Sequence, residues 1–330
     1  MKRKISIFIM FVILCSSLLA CGTSSDSKTV LIMSDVQEGD HPTARACDKF
    51  AQMVKEKTKG RVEIEVYHGA TLGTEEEQIK QVAVGGIDFS RNSSSGLSVY
   101  EDQLKALQAL YLYDNDDNMW NVLNGSIGNE LLNSDELKNN GIIGLCWFSG
   151  GSRNFYNSKK EVKSPSDLAG LNLRVNTDYM TGLLNKEGAT PRNVAYNDIL
   201  SSLQSKAIDG AENNWPSYIS TGHYKEAKYI TIDEHTRIPE MIIASADTMK
   251  KLSNEDQTII KECAQEVSTY QIEEMKKYDE QAINTAKEAG CQITYLNDSQ
   301  IKEFQNAAES VNAEVSGKYM TLINKIKAYK

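Results

Sequence analysis

The stretch from Leu171 to Pro216 constrains this chain more than any other. Leu171, Leu173 and Val175 alternate with Asn172 and Arg174, the period-two pattern of a strand that buries its apolar face and turns its arginine the other way, to a rim. Tyr179 to Lys186 reads as a short helix stopped by Gly188. Asn197-Asp198 offers an N-cap for a second helix through Ile199, Leu200 and Leu203, which Asp209-Gly210 breaks. Such a strand–helix–helix–strand unit brings the cluster Glu212-Asn213-Asn214 back towards Arg174.

The amino-terminal part repeats a βα pattern. Val30 to Met33 is a continuous apolar strand of the kind buried in a sheet covered on both sides. Thr43 to Thr58 is an amphipathic helix ended by Gly60, Val62 to Tyr67 a second strand, Glu75 to Val84 a helix, and Gly86 to Phe89 a third strand, the doubly wound plan. Ligands of open α/β sheets bind beyond the carboxyl ends of strands. Glu38, Asp40 and His41 in the loop after the first strand, and Arg91 after the third, are therefore candidate contacts, each with a bland reading as solvated loop or salt bridge. A strongly apolar strand from Gly141 to Phe148 leads to Gly150-Gly151, a first crossing between domains, and a second is expected around Arg237 to Glu240. From Asn254 to Ala289, Ile260, Cys263, Val267, Tyr270, Met275, Tyr278, Ala282 and Ala286 keep the helical period. One helix of that length extends roughly 50 Å and can bridge two lobes. The amphipathic tail from Ser299 is expected to pack on the second domain.

Three segments in order, Gly151-Ser152-Arg153-Asn154, Lys163-Ser164-Pro165-Ser166-Asp167-Leu168-Ala169-Gly170 and Leu173-Arg174-Val175 with Asp209-Gly210-Ala211-Glu212-Asn213, resemble the signature of the DctP family, the solute-binding proteins of TRAP transporters. The resemblance covers nearly the whole mature chain. It implies an α/β, two-lobed, type II periplasmic-binding-protein-like fold with an interdomain cleft and a long spine helix. The lobes would be 29–150 with 239–278, and 151–238 with 279–330. It also implies a function: an extracytoplasmic protein, without cofactor, that binds a small organic acid anion and passes it to a membrane permease. The positions matching the family's motifs are Arg174, Arg153 and Asn213. Asn176, Trp215 and Glu240 join Glu38, His41 and Arg91 as further candidates.

The start of the chain agrees with export. Lys2-Arg3-Lys4 and the apolar run from Ile5 to Leu14 form the n- and h-regions of a secretory signal over 1–20, too short for a comfortable membrane span. Leu18-Leu19-Ala20-Cys21 resembles a lipobox, so Cys21 is expected to carry a lipid anchor, with 21–28 as its tether. Loss of the three leader cations takes the formal charge from −9 to −12, which argues against nucleic acid as a partner. Cys47, Cys146, Cys263 and Cys291 are scattered without a C-x-x-C and read as buried free thiols.

No G-x-S-x-G, G-x-G-x-x-G, G-x-x-x-x-G-K or H-E-x-x-H occurs, and the four histidines pair with no cysteine at ligand spacing, so neither catalysis nor a metal is supported. Recognition groups remain. A guanidinium matches a carboxylate with two parallel N–H donors, which a lysine cannot do. A tryptophan face can stack on a pyranose, and Glu38, Asp40 and Glu240 can accept bonds from hydroxyls. A hexuronate such as glucuronate or galacturonate is the expected solute, with a C4-dicarboxylate as the alternative and a monomer as the expected state.

Overall fold

Parallel strands need long crossovers that cover their faces with helices, and the chain builds two such sheets. The computed structural model describes residues 28–329; the signal segment, Cys21 and the rest of the tether up to 27 lie outside the described residues. The first sheet has the order β2 (Val62–Tyr67), β1 (Thr29–Ser34), β3 (Phe89–Ser93), β10 (Glu240–Ser245), β4 (Ile142–Phe148). β1 is parallel to β2 and β3, and β10 is antiparallel to β3 and β4. The second has the order β11 (Gln292–Tyr295), β9 (Tyr229–Arg237), β5 (Ser152–Asn157), β8 (Gly210–Asn213), β6 (Asn172–Val175), β7 (Thr190–Asn193). Each lobe holds one sheet, and the chain passes between them after β4 and again between β9 and β10.

Local chemistry fixes the helix starts. His41 caps α1 (Pro42–Lys57), its Nδ1 accepting from the Thr43 amide with Pro42 in the first turn. Thr74 and Glu77 form a capping box at α2 (Glu75–Ala83). The second lobe carries α3 (Asp178–Lys186), α4 (Ile199–Gln204) and α5 (Trp215–Ser220). The long helix α6 (Asn254–Glu288) has Ile260, Cys263, Ala264 and Val267 in the first lobe's core and Ala282 and Ala286 in the second's. Its midpoint, Gln271, is buried and ties down the first crossing: its Oε1 accepts from the Ser149 amide (2.8 Å) and its Nε2 donates to the Ser149 carbonyl (2.9 Å).

Several expectations are corrected. Val30 is 49% exposed, so β1 is not covered on both sides at its amino end. β3 begins at Phe89 and includes Arg91 and Asn92, read from sequence as loop because the strand is polar. The helical pair after Arg174 contains an extra strand, β7, parallel to β6. Asp198 caps nothing, because a 3₁₀ turn over Tyr196–Asp198 already leads into α4. The tail divides: α7 (Asp298–Ser316) lies against α3, whereas α8 (Met320–Ala328) lies against the 3₁₀ segment Asp102–Gln108 of the first lobe. The four described cysteines are free, Cys47, Cys146 and Cys263 fully buried and Cys291 half-buried.

Candidate functional site

The carboxyl ends of β1 and β3 face those of β6 and β8 across the gap between the sheets, and polar side chains converge there. The first lobe contributes Gln37, Glu75, Arg91, Ser93 and Glu240 to the cleft wall; the second contributes Arg153, Arg174, Asn176, Tyr196, Asn213, Asn214 and Ser217. The lobes touch across it. Tyr196 Oη donates to Gln37 Oε1 (2.6 Å), and Ser217 Oγ lies 3.5 Å from His41 Nε2. Because His41 Nδ1 is committed as an acceptor, the Nε2 atom carries the proton and donates to Ser217. Burial, assisted by Arg91, lowers the His41 pKa to about 3, so the ring is neutral.

Three buried arginines occupy the cleft, and their partners separate them. Arg91 gives Nε (2.9 Å) and Nη2 to Asp35 and Nη1 to Glu240 Oε1 (3.1 Å). Burial alone would lower its pKa, and these two acids more than reverse that. Arg153 binds Glu212 through Nε and Nη2, and its Nη1 donates to Asn213 Oδ1 (2.8 Å). Arg174 is different. Its Nε donates to the Val194 carbonyl (2.9 Å), and among the described residues neither Nη nitrogen has a hydrogen-bond partner or acid counter-ion. The side chain is buried, and burial, with Arg153 nearby, outweighs the pull of Glu212 and lowers its pKa. A desolvated cation without a partner is costly, and a bound anion removes that cost.

Asn213 is oriented by its neighbours. Its Oδ1 accepts from Arg153 and from the Asn214 amide (2.9 Å), which leaves Nδ2 as a free donor in the cleft beside Arg174. Two acceptors in the cleft lack donors among the described residues: Asn176 Oδ1 and Glu240 Oε2. Behind this layer runs a neutralised chain of charges. Burial would raise Glu212, but Arg153 and His235 hold it down to about 2. His235 is held up at about 9, against burial, by Asp233 (2.9 Å) and Glu212 (3.3 Å).

The structure thus gathers Arg174, Arg153, Asn213, Asn176, Arg91 and Glu240 of the expected residues. It does not gather Glu38, Trp215 or Asp40. Glu38 and Asp40 are exposed, and the neighbouring Gln37 takes the inward position. Trp215 opens α5 and is drawn into the apolar cluster with Ile199 and Tyr218, as Tyr218 itself is; Tyr179 packs against α7, its hydroxyl 3.1 Å from Ser316 Oγ. His41 stands one layer back, behind Ser217. Arg174 does not pair with Glu212, because Arg153 takes that acid. Not singled out as contacts were Gln37, Glu75, Ser93, Tyr196 and Ser217, while Asn214 was read only as part of the cluster returning towards Arg174. Tyr196, the aromatic ring in the wall among the described residues, follows the unread strand β7.

The sequence profile of the bacterial extracellular solute-binding proteins of family 7, DctP, matches residues 33–318. The chain belongs to the DctP family. A solute-binding protein of Chromohalobacter salexigens is 32% identical over 269 residues, 80% of this chain and 78% of that one. The crystal structure of a TRAP periplasmic solute-binding protein from the same organism, with bound D-glucuronate, superposes with a TM-score of 0.85 at 29% identity, over 91% of this chain and 100% of that one. The C4-dicarboxylate-binding protein DctB of Bacillus subtilis is 28% identical over 286 residues, 86% of this chain and 81% of that one. As a DctP protein the chain is the extracytoplasmic solute-binding component of a transport system. None of the described helices is long and apolar enough to cross a membrane.

Proposed function

We propose that this DctP protein captures a hexuronate, glucuronate or galacturonate, and delivers it to a TRAP permease. The observation that carries the reading is Arg174, a buried guanidinium whose Nη nitrogens have no acid partner among the described residues, facing acceptors that lack donors. A hexuronate completes both sets. Its carboxylate takes the two Nη donors and Asn213 Nδ2, and its hydroxyls donate to Glu240 Oε2 and Asn176 Oδ1. The glucuronate-bound relative agrees with this chemistry. A C4-dicarboxylate, favoured by the likeness to DctB, fits less well, because its second carboxylate brings acceptors to acceptors.

In this reading the lobes, 29–150 with 239–278 and 151–238 with 279–330 apart from α8, which lies against the first lobe, close about the two crossings and α6, and solute shifts the balance towards the closed form by its differential affinity. Cys21 carries a lipid that holds a monomer at the extracytoplasmic face; Cys21→Ala should move the protein from the membrane to the soluble fraction. In this reading the solute is released unaltered. Thermal unfolding with glucuronate, galacturonate, malate and succinate tests the assignment. A hexuronate at 1,000 times its Kd adds about 4 kcal/mol, a rise of roughly 6 °C for a chain of this length. Stabilisation by the dicarboxylates alone would overturn it.

A further inference from the structure

The two walls of the cleft carry opposite charge, and the negative wall has more acids than its own chemistry uses. On the first lobe Arg91 is shared by Asp35 and Glu240, and Glu75 stands beside them, its carboxylate held by the Ser93 amide (2.6 Å) and hydroxyl (3.1 Å). One cation therefore faces three carboxylates. On the second lobe Arg153 is neutralised by Glu212, which leaves Arg174 as the unmatched charge. Glu240 places one oxygen on Arg91 and leaves the other, Oε2, buried at the cleft wall with no donor among the described residues.

We propose that Glu240, supported by Glu75, is the selectivity residue of the site: it admits acids that offer a hydroxyl where their far end meets the first lobe and rejects those that place a second carboxylate there. The proposal rests on the reading above only in that the solute's carboxylate docks on Arg174. A hydroxyl supplies the donor that Oε2 lacks. A carboxylate brings a fourth set of acceptor lone pairs and a like charge into a desolvated space, an arrangement that discriminates by repulsion rather than by better contacts. Arg91 does not offset the added charge, since its single positive charge is already shared between Asp35 and Glu240.

The surroundings also make the rejection pH-dependent. Burial raises Glu240, Arg91 lowers it, and Glu75 and Asp35 raise it again, for a pKa of about 7. The groups that face it are Arg91 on β3, Asp35 after β1, Glu75 at the start of α2 and Arg153 on β5, with Cys47 on α1 and Tyr196 on the second lobe near enough to feel its charge. Below that pH the carboxyl is neutral and can donate to a carboxylate. Above it the site is closed to a second one.

Two matched pairs of acids, each differing by one carboxylate, provide the test: galactonate against galactarate, and 2-hydroxybutyrate against malate. Calorimetry on the wild type at pH 8 should give the dianion of each binding pair a Kd at least roughly 100-fold weaker. In Glu240→Gln that ratio should fall at least 10-fold, and in the wild type it should also fall between pH 8 and pH 6. Galacturonate, measured alongside, separates the two readings. If it fails to bind while 2-hydroxybutyrate is preferred to malate and the preference collapses in Glu240→Gln, the inference stands and the hexuronate assignment falls. Dianions that bind as tightly as their partners, or ratios unmoved by Glu240→Gln, overturn the inference. A wild type that binds none of the five acids overturns both.

Discussion

Replacing Arg174 by alanine separates a binding arginine from a structural one, because the two roles predict opposite behaviour in two assays. The wild-type guanidinium makes one bond inside the protein, to the Val194 carbonyl, and keeps both Nη nitrogens for the cleft. Hydrogen bonds to a charged group contribute about 1.5–3 kcal/mol each. Two of them lost on the solute carboxylate weaken binding by about 3 kcal/mol or more, roughly 150-fold. The unliganded protein loses a single bond to a carbonyl, about 1 kcal/mol, and is relieved of a buried cation that no acid balances. These nearly offset, so the melting temperature without solute should move by no more than about 2 °C. Titration calorimetry with galacturonate measures the first quantity and thermal unfolding without solute the second. An affinity within threefold of wild type would refute the reasoning. So would a fall of roughly 8 °C in the unliganded protein, which would place Arg174 in the framework.

Arg153→Ala should behave the other way: it strands Glu212 in the interior and costs roughly 3–5 kcal/mol of stability, which thermal unfolding without solute would register as a drop of at least about 6 °C. Tyr196→Phe removes the 2.6 Å bond to Gln37 that joins the lobes; the variant should bind solute roughly 3- to 10-fold more weakly and show a larger radius of gyration in solution scattering without solute. His41 is neutral in the fold, with a pKa of about 3, and charged below about 6.5 when unfolded. Its contribution is therefore complete above pH 6.5 and is lost as pH falls towards 3. Melting temperature should decline across that window, and His41→Asn, which can still cap α1 but does not titrate, should flatten the decline.

What could be read from the residues depended on whether burial left a pattern. The alternation of Leu171, Leu173 and Val175 around Arg174 places β6 and its arginine, and the spaced apolar residues of α6 place the long helix, because each element has one face in a core. β7 left no such mark. Thr190-Pro191-Arg192-Asn193 is a largely exposed edge strand with a proline, which the sheet tolerates only at an edge. Tyr196, just beyond it, was missed with it. β3 failed for the opposite reason: Ser90, Arg91 and Asn92 are buried yet polar, Ser90 held by Ser34 and Arg91 by Asp35, so burial there carries no hydropathy signal. Gln37 takes the place expected of Glu38 because the chain bends at Val36 and Gln37, where the Asp35 carboxylate accepts from the Gln37 amide (3.2 Å), and strand alternation does not carry through a bend. Trp215 suggested a sugar platform by residue type alone, but at the first turn of α5 its ring completes a core instead.

The division of labour among the arginines explains how a protein with a formal charge of −9 can hold an anion at all. Long-range attraction is unfavourable, so affinity has to come from a desolvated contact. Each of the three buried guanidinium groups could in principle supply it, but two already have acids within the fold. Asp35 and Glu240 fix Arg91, and Glu212 fixes Arg153. Glu212 is in turn held by a protonated His235, and that ring by Asp233, so the chain of charges ends neutral inside the second lobe. Arg153 turns that rigidity into orientation by gripping Asn213 Oδ1, which aims the amide nitrogen at the space in front of Arg174. Saturating the neighbours leaves one charge whose balance must come from outside the chain. A counter-ion placed on Arg174 by mutation, for instance from Asn176→Asp, would complete the pair internally and should abolish solute binding while raising the melting temperature of the unliganded protein.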